Sequence, residues 1–284
     1  MTLLASRRCN QAHEPLHSLI YFAPEAEEEY TAAGLQPGRM GYFASRSAAM
    51  GAVGSATVAA TFCNFSPALV GRHIPRAWGM AAPQQILDAR LRVVDRALTR
   101  LLGAEVIAGP SMAEAARLAG EAAAACPLEG RPLAAAHAAL PVPEPAHLAL
   151  WHAITVLREH RGDGHVSVLA GAELNGTEAL VTHTATGKGF NTDFARRSRG
   201  WSEEEWDAAV ERVRERGLLD QDGALTERGV ELRRDIERQT DHLAAAPYRK
   251  LGEDGVNRLT GIARELTAAA LANGAFPPGV FARG

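Results

Sequence analysis

The chain is poor in cysteine and has neither a long apolar run nor a marked excess of charge. Its three cysteines, Cys9, Cys63 and Cys126, are widely spaced and form no CxxC pair, which argues against a disulfide framework and a thiolate zinc site. No segment approaches the ~18 apolar residues of a membrane-spanning helix. No apolar core of a signal peptide follows the N-terminal arginines. We therefore expect a cytoplasmic protein with no membrane partner.

The overall charge and composition restrict the classes of protein further. The formal net charge of −3 offers no general attraction for nucleic acid, because a nucleic-acid-binding protein ordinarily presents a basic face. Aromatic residues make up only 6% of the chain and hydrophobic residues 46%. With alanine and leucine abundant, this composition predicts a mostly α-helical protein. Its 284 residues suit two domains of ordinary size.

A proline-rich stretch predicts the boundary between the two domains. Five prolines lie within residues 127–145, which we interpret as a linker. It separates an N-terminal helical half, residues 1–126, from a C-terminal half with a terminal helix, residues 146–284.

The two halves also resemble each other. Gly51–His73 aligns with Gly162–Thr184 without a gap, with six identities that include Asn64 and Asn175. Downstream, each half continues with a tryptophan, a long helix, a short hairpin and a capped helix. This shared order predicts an internal duplication of two winged-helix-like halves with small β-hairpin wings. Two unrelated helical halves are the alternative.

The segment Trp201–Asp241 carries the clearest fold signal. It reads as a helix, a short hairpin and a second helix, with Gly217-Leu218-Leu219 before a turn and Leu225-Thr226-x-x-Gly229 after it. These steps resemble the wing of the MarR-type regulators. The resemblance implies a winged helix-turn-helix and a ligand-responsive transcription regulator.

A second resemblance extends over nearly the whole chain. Its motifs are Glu14-Pro15-Leu16-His17, Tyr21-Phe22-Ala23-Pro24-Glu25, Phe43-Ala44-Ser45-Arg46 and the run from Leu157 to His165. They look like an actinobacterial family of largely uncharacterised proteins with a helix-turn-helix or MarR-like region. That resemblance implies no particular activity.

Acidic residues occupy the positions that would face DNA. The helix after Trp201 opens with three glutamates, Glu203 to Glu205, and the wing tip contains Asp220 and Asp222. A recognition helix presents its N-terminal residues to bases and phosphates, where carboxylates repel. In a helix that does not bind DNA, the same acids stabilise the helix dipole. We therefore predict that nucleic acid is not a partner, although arginines 196, 197 and 199 in the preceding loop could contact phosphates.

The N-terminal region contains a metal-site motif that lacks a complete ligand set. His13-Glu14-Pro15-Leu16-His17 satisfies H-E-x-x-H, but Pro15 disturbs the helix that a zinc site needs, and no third ligand follows. We expect no metal. On a helix starting or kinked at Pro15, Glu14, His17 and Tyr21 would share a face, with acid–base or hydrogen-bonding roles. A surface cap with His17 partly buried is the alternative.

The segment Trp151–His165 is rich in polar side chains. We predict two helices joined by a turn at residues 161–164, with Asp163 capping the second helix. A polar stripe along the first helix could line a cavity or form an exposed charged face. Arg46, in a helix of small and apolar residues, must reach the surface or pair with an acid or a ligand anion.

These features together predict a small-molecule site in the cleft between the halves. The ligand would be anionic, with a carboxylate as one option, because arginines converge there. Candidate acid–base residues are Glu14, His17, His152 and His165; candidate ligand-binding residues are Tyr21, Arg46, Asn64, Thr155, Arg158 and His160. The alternatives are an enzyme using this cleft and a MarR-like regulator. No nucleophile, nucleotide or haem motif identifies a cofactor, which stays unknown, and a homodimer is left open.

Overall fold

The computed structural model describes residues 2–189 and 191–277, which form fifteen α-helices. The β-structure of these residues consists of one antiparallel bridge, between Leu219 and Leu225. In chain order the helices are α1 (Leu3–Ser18), α2 (Pro24–Ala32), α3 (Arg39–Ser47), α4 (Ser55–Phe62), α5 (Pro67–Gly71), α6 (Pro83–Leu102), α7 (Ala104–Ile107), α8 (Pro110–Ala123), α9 (Pro132–Ala138), α10 (Ala146–Gly171), α11 (Gly176–Thr184), α12 (Thr192–Arg199), α13 (Glu203–Glu215), α14 (Glu227–Ala244) and α15 (Ala246–Ala272). Short 3-10 turns span Leu19–Tyr21, Ala48–Met50 and Arg76–Gly79. The prediction of a mostly α-helical protein is confirmed.

The larger hydrophobic core is built around α1, α8, α10 and α15. The last helix returns to the N-terminus and packs along α1 and α8, and the core extends from Cys9 to Ala275. A smaller core, from Val168 to Ile236, lies within α10 to α14. Helix α10 contributes to both, with Leu157 in the first and Leu169 in the second. The single helix α10 therefore joins the two cores.

Helix α1 begins upstream of the proline at which we expected a start or a kink. Thr2 is its N-cap and accepts a hydrogen bond from the amide of Ala5 at 3.2 Å, and Pro15 lies inside the helix. Tertiary packing along α10 and α15 holds the helix in spite of the hydrogen bond that proline removes.

The predicted turn at residues 161–164 is wrong, because α10 is a single helix of 26 residues. Gly164 lies where a β-carbon would overlap the guanidinium of Arg131, so its small size serves close packing. Asp163 does not cap the following residues. It accepts hydrogen bonds from the amides of Leu133 and Ala134, at 3.0 and 2.9 Å, and thereby caps α9 from outside that helix. Helix α9 thus lies inside the stretch that we predicted as a linker, and the domain division stays a prediction.

The helix-turn-helix element consists of α12, a turn and α13. Residues 192–199 are helical, so the loop that we predicted from Gly187 to Gly200 is wrong over that range; Phe190 lies outside the described residues. Gly200 ends α12 in the left-handed conformation, with φ of 77°. Ser202 and Glu205 form the capping box of α13. We call α12, the turn at residues 200–202 and α13 the helix-turn-helix element because two helices joined by a short turn precede the reduced wing.

The predicted β-hairpin wings are largely absent. In the C-terminal half, the wing is reduced to the Leu219–Leu225 bridge, after which Thr226 caps α14 by accepting from the Gly229 amide at 3.1 Å. In the N-terminal half, the hairpin is wrong: Ala104–Ile107 forms the helical turn α7 instead. The apolar segment between residues 103 and 110 is short, and in so short a segment the sequence patterns of a helix and a strand are hard to tell apart. The internal duplication stays a prediction.

Candidate functional site

A ladder of ion pairs links α1, α3 and α10 at the predicted cleft. Nη2 of Arg46 lies 3.2 and 2.9 Å from the two carboxylate oxygens of Glu159. Nη1 of Arg158 lies 2.9 Å from Oε1 of the same carboxylate, and its Nε lies 3.1 Å from both oxygens of Glu14. The structure therefore brings together three of the predicted residues, Glu14, Arg46 and Arg158. Glu159 is the buried acid that connects the two arginines.

Burial and charge oppose each other at Glu159. Burial favours the neutral acid, but Arg46 and Arg158 outweigh it and lower the pKa of Glu159 to about 2. The carboxylate is thus ionised at neutral pH, and it is a structural counterion rather than a proton donor.

Aromatic rings surround this ladder. The imidazole of His17 stacks on the indole of Trp151, with ring centres 5.1 Å apart and planes 7° from parallel. Tyr21 meets His17 edge to face at 5.7 Å and Tyr42 at 5.1 Å. The Arg46 guanidinium lies 5.7 Å from the centre of the Tyr42 ring. His17 and Tyr21 therefore join the three charged residues, as the helical spacing predicts.

A groove of about 870 Å³ opens beside this cluster. One wall comes from the end of α1 and from α2 and α3, the other from α12 of the helix-turn-helix element. Its rings are Tyr21, Phe22, Tyr30, Tyr42, Phe43, Phe65, Phe194 and Phe276. Its cations are Arg39, Arg158 and Arg199, and its acids are Glu14 and Glu27. The groove is thus rich in aromatic rings and has more guanidiniums than carboxylates.

Contacts across the groove fix α12 against the N-terminal helices. Nη1 of Arg39 donates to the carbonyl of Ser198 at 2.6 Å, and the Arg199 guanidinium lies 4.7 Å from the centre of the Phe65 ring. The carbonyl of Arg199 also accepts from the Ser66 amide at 2.9 Å. The two sides of the groove are therefore joined by direct contacts.

The other predicted site residues lie apart from the groove. Thr155 donates to the carbonyl of Trp151 in its own helix at 2.8 Å. His165 bonds Thr240 of α14 at 2.9 Å. His160 lies near Arg131, which donates to the His160 carbonyl. These three side chains do not line the groove.

His152 and Asn64 also fall outside the groove. His152 is largely buried and close enough to Arg90 for that charge to lower its pKa, after the larger effect of burial. The Asn64 carbonyl accepts from Nε1 of Trp201 at 2.9 Å. Asn64 therefore supports the turn of the helix-turn-helix element through its backbone.

Sequence reasoning missed Arg90 and His137. Arg90 lies on the apolar face of α6, four residues after Ile86 and four before Val94, and is 2% exposed. Nη1 of Arg90 is 3.4 Å from Nε2 of His137 on α9. The guanidinium lies 4.7 Å from the centre of the Trp151 ring. The signal was present, since an arginine within an amphipathic helix's apolar stripe must have a buried polar partner.

Burial lowers the pKa of His17, His137 and His165, so these three imidazoles are neutral at physiological pH. Burial, reinforced by Arg158, Arg90 and Arg46, holds the pKa of His17 well below its ordinary value. Burial and then Arg90 lower the pKa of His137 to about 3. Burial lowers the pKa of His165 to about 4. A neutral imidazole offers one N–H donor and one acceptor, which suits hydrogen bonding to a ligand.

The H-E-x-x-H motif does not form a metal site. Nε2 of His13 lies 2.9 Å from the Tyr248 hydroxyl, whereas His17 stacks on Trp151. The two imidazoles thus have different environments. Across the described residues there is no group of three metal-ligating side chains.

The helix-turn-helix surface is acidic where a DNA-binding protein would be basic. Glu203, Glu204, Glu205 and Asp207 are all exposed on α13. Glu203 pairs with Nη2 of Arg196 at 2.9 Å. Two further arginines are engaged by carbonyls: Arg214 by the wing at Asp220, and Arg216 by Ala172 and Glu173 at the end of α10.

The turn of the motif also packs against the N-terminal half. A β-carbon on Gly200 would lie 2.7 Å from Cβ of Leu69, and one on Gly176 would overlap the Cys63 carbonyl. The Trp201–Asn64 hydrogen bond joins the same surfaces. The helix-turn-helix element therefore packs directly against the N-terminal half.

A family model described as a helix-turn-helix family matches residues 6–277. Because this range covers almost the whole sequence, the chain belongs to that helix-turn-helix family. No curated protein and no solved structure matches it. The predicted helix-turn-helix region is confirmed, and the MarR-like and actinobacterial resemblances stay predictions. Within residues 2–189 and 191–277, no helix combines the length and apolar character needed to cross a bilayer.

Proposed function

We propose that this helix-turn-helix protein binds an anionic, largely apolar small molecule in the groove between α1–α3 and α12. The observation that carries the proposal is the groove's lining, in which aromatic rings surround three guanidiniums. Its volume of about 870 Å³ falls within the range of ~300–1,000 Å³ common for small-molecule sites. An organic carboxylate fits best, because its apolar body would pack on the rings and its charge would meet Arg158.

Arg158 is the central recognition residue in this proposal. Its Nε and Nη1 are held by Glu14 and Glu159, so its orientation is set before a ligand arrives. The Arg158 guanidinium also lies 5.9 Å from the centre of the Tyr21 ring. A preorganised guanidinium loses little rotamer freedom on binding, which favours affinity.

A fluorescent anionic aromatic probe, anilinonaphthalene sulfonate, tests the groove. We expect saturable binding that 1-naphthoate displaces and that the uncharged 1-naphthalenemethanol displaces at least about tenfold less well, since a charge-assisted contact contributes roughly 1.5–3 kcal/mol. Arg158→Gln should weaken the binding of 1-naphthoate by a similar factor. The matched control is Arg92→Gln. Arg92 is an exposed arginine of α6 that pairs with Glu29 of α2. Equal displacement by the acid and the alcohol would contradict the proposal.

A ligand-responsive regulator is the second candidate, because the family is a helix-turn-helix family. We propose that DNA binding has been lost, for two reasons. Acidic residues are exposed on α13, and Arg196, Arg214 and Arg216 are engaged by carboxylates or carbonyls of the protein itself. A mobility-shift assay with random duplex at low salt separates the candidates, since salt-sensitive phosphate contact is the minimum for a regulator. Micromolar, salt-sensitive binding would favour the regulator.

An enzyme in the same groove is a weaker alternative. Glu14 reaches the groove but is engaged by Arg158, and His17 is fully buried beside Trp151. His152 and His165 do not line the groove. Turnover of a bound carboxylate, followed by mass spectrometry and abolished by Glu14→Gln, would favour the enzyme. A cytoplasmic location and a homodimer stay predictions.

A further inference from the structure

Arg90 is buried beside Trp151 and His137 without a hydrogen-bonded acidic partner among the described residues. It is 2% exposed, and within residues 2–189 and 191–277 its hydrogen bonding is limited to the 3.4 Å contact between its Nη1 and His137. Nε and Nη2 have no hydrogen-bond partner among these residues. Burying an uncompensated guanidinium is costly, so such a group ordinarily has an anion beside it.

The two unpartnered nitrogens form one edge of the guanidinium. Nε and Nη2 point their N–H bonds in parallel, which is the fork that binds the two oxygens of a planar carboxylate. Nη1, on the other side, is held by His137, and the face lies on Trp151. These contacts orient the free edge in a fixed direction.

Other unpartnered polar atoms belong to the same aromatic cluster. Both ring nitrogens of His17 and the hydroxyl of Tyr21 are buried without a partner in the described part of the chain. His17 and the Arg90 guanidinium both pack against Trp151, at 5.1 and 4.7 Å from its ring centre, and Tyr21 meets His17 edge to face at 5.7 Å. A neutral imidazole and a phenol each supply one donor. Together with Arg90 they provide donors for the two oxygens of an anion.

The charges around this point do not balance. Three guanidiniums and two carboxylates interact here: Arg46, Arg90 and Arg158 with Glu14 and Glu159. The side chain of Glu14 is 45% exposed, so solvent screens its contribution. One additional monoanion would neutralise the buried group.

We propose that Arg90, His17 and Tyr21 form a buried carboxylate site. The Nε–Nη2 edge of Arg90 binds both oxygens, and the imidazole and phenol donate to them. The carboxylate has two sources, a free small acid or the acidic end of a ligand whose apolar body lies in the groove. The second source fits the position of Tyr21, which lines the groove and contacts His17; this source alone rests on the proposed function.

Calorimetric titration in carboxylate-free buffer at constant ionic strength tests the site with acetate and decanoate. We expect at least one of them to bind wild type saturably and more tightly than sodium chloride, since chloride offers one acceptor atom where a carboxylate offers two oxygens matched to the fork. Arg90→Gln and Arg90→Lys should both weaken that acid about 10- to 100-fold, because lysine keeps the charge but not the two-nitrogen edge. Arg92→Gln on the same helix should leave the affinity unchanged.

The two sources give different patterns. Acetate binding that depends on Arg90 identifies a free small acid. Decanoate binding that depends on both Arg90 and Arg158, without acetate binding, identifies the acidic end of a groove ligand. Decanoate binding that depends on Arg158 but not on Arg90 overturns the proposal of a buried site and leaves the groove proposal intact. No binding of either acid also overturns the buried site.

Nuclear magnetic resonance on wild type keeps the test decisive if the Arg90 variants do not fold. The Nε–H resonance of Arg90 and the ring nitrogens of His17 can be assigned through their own side-chain carbons. Saturable shifts of both on adding the binding acid support the site. Unchanged resonances at saturation overturn it.

Discussion

Arg46 on α3 and Glu159 on α10 form a buried ion pair that ties the groove wall to the central helix. The Nη2–Oε2 distance is 2.9 Å, and the side chains are 11% and 3% exposed. The guanidinium also lies 4.2 Å from the centre of the Phe62 ring. The Phe62 ring thus helps to screen the pair from solvent.

Glu159→Gln should destabilise the protein strongly. The substitution leaves Arg46 buried without its counterion, and breaking a buried pair in this way costs about 3–5 kcal/mol. Glu14→Gln is the matched control: it removes an acid that also pairs with Arg158 but is 45% exposed, so about 0–1 kcal/mol is expected. Urea unfolding measures both free energies. Equal losses would contradict the central role of Glu159.

The same carboxylate predicts a loss of stability in acid. The pKa of Glu159 in the folded protein is lowered to about 2, against ~4.3 for an unperturbed glutamate. A lowered pKa contributes stability that is present above the unfolded value and is lost as pH falls through the folded value. The wild-type protein should therefore lose stability relative to Glu159→Gln between about pH 4.3 and 2. The measurement is the free energy of unfolding of both proteins as a function of pH. A constant difference between wild type and Glu159→Gln over this range would refute the prediction.

Asp163 predicts the opposite dependence on pH. Burial raises its pKa to about 6, although the Ala134 amide and other groups partly offset this. A raised pKa contributes stability that is present below ~3.9, the unperturbed value, and is lost as pH rises through about 6. Asp163→Asn keeps an acceptor oxygen without the charge, so its free energy of unfolding should vary less between these pH values.

Removing the acceptor separates capping from charge. Asp163→Ala leaves the amides of Leu133 and Ala134 without their acceptor, and losing a helix cap costs about 0.5–2 kcal/mol. At pH 7.5, where the charge is buried unfavourably, Asp163→Asn should be at least as stable as wild type and Asp163→Ala less stable. Chemical unfolding at this pH measures the free energy of unfolding of both variants. Equal values for Asp163→Asn and Asp163→Ala would show that the α9 cap contributes little to stability.

The sequence was sufficient for the helical class and for the partners that lie on one helix face. Glu14, His17 and Tyr21 follow α1 into its 3-10 turn at helical spacing, and that spacing is what brought them together. It was insufficient for Asp163, whose capping partner lies about 30 residues upstream in α9. Local patterns favoured a turn at Gly162-Asp163-Gly164, and only tertiary packing decides that a glycine there serves a close approach to Arg131. Arg90 was missed because its neighbours on α6 made the helix look like ordinary core.

Gly176 should be intolerant of a side chain. It is the first residue of α11, and a β-carbon there would overlap the Cys63 carbonyl of the N-terminal half. Gly176→Ala should therefore destabilise the protein by about 1–3 kcal/mol, as overpacking generally does. Gly171→Ala on α10 is the control, because nothing lies within 4 Å of its β-carbon. Its helix propensity makes it neutral or stabilising. Thermal unfolding compares them, and equal melting temperatures would contradict the close contact between the halves.

The proposal that the acids of α13 prevent DNA binding can be tested directly. Replacing Glu203, Glu204 and Asp207 with lysine changes three exposed residues and spares the capping residues Ser202 and Glu205. If these carboxylates repel phosphate, the variant should gain nonspecific duplex binding. Its affinity should fall with salt at a logarithmic slope of about −0.9 for each phosphate contact.

A control with the same change of net charge distinguishes the α13 surface from overall attraction. Lysines at the exposed Glu105, Glu129 and Glu144 alter the charge equally but lie away from the helix-turn-helix element. Fluorescence anisotropy with a labelled random duplex should detect binding by the α13 variant at concentrations where the control remains unbound. Because electrostatic attraction is screened beyond ~10 Å at 0.1 M salt, only charges that approach the phosphates contribute there. Equal binding by both variants would mean that net charge, rather than the position of the acids on α13, determines duplex binding.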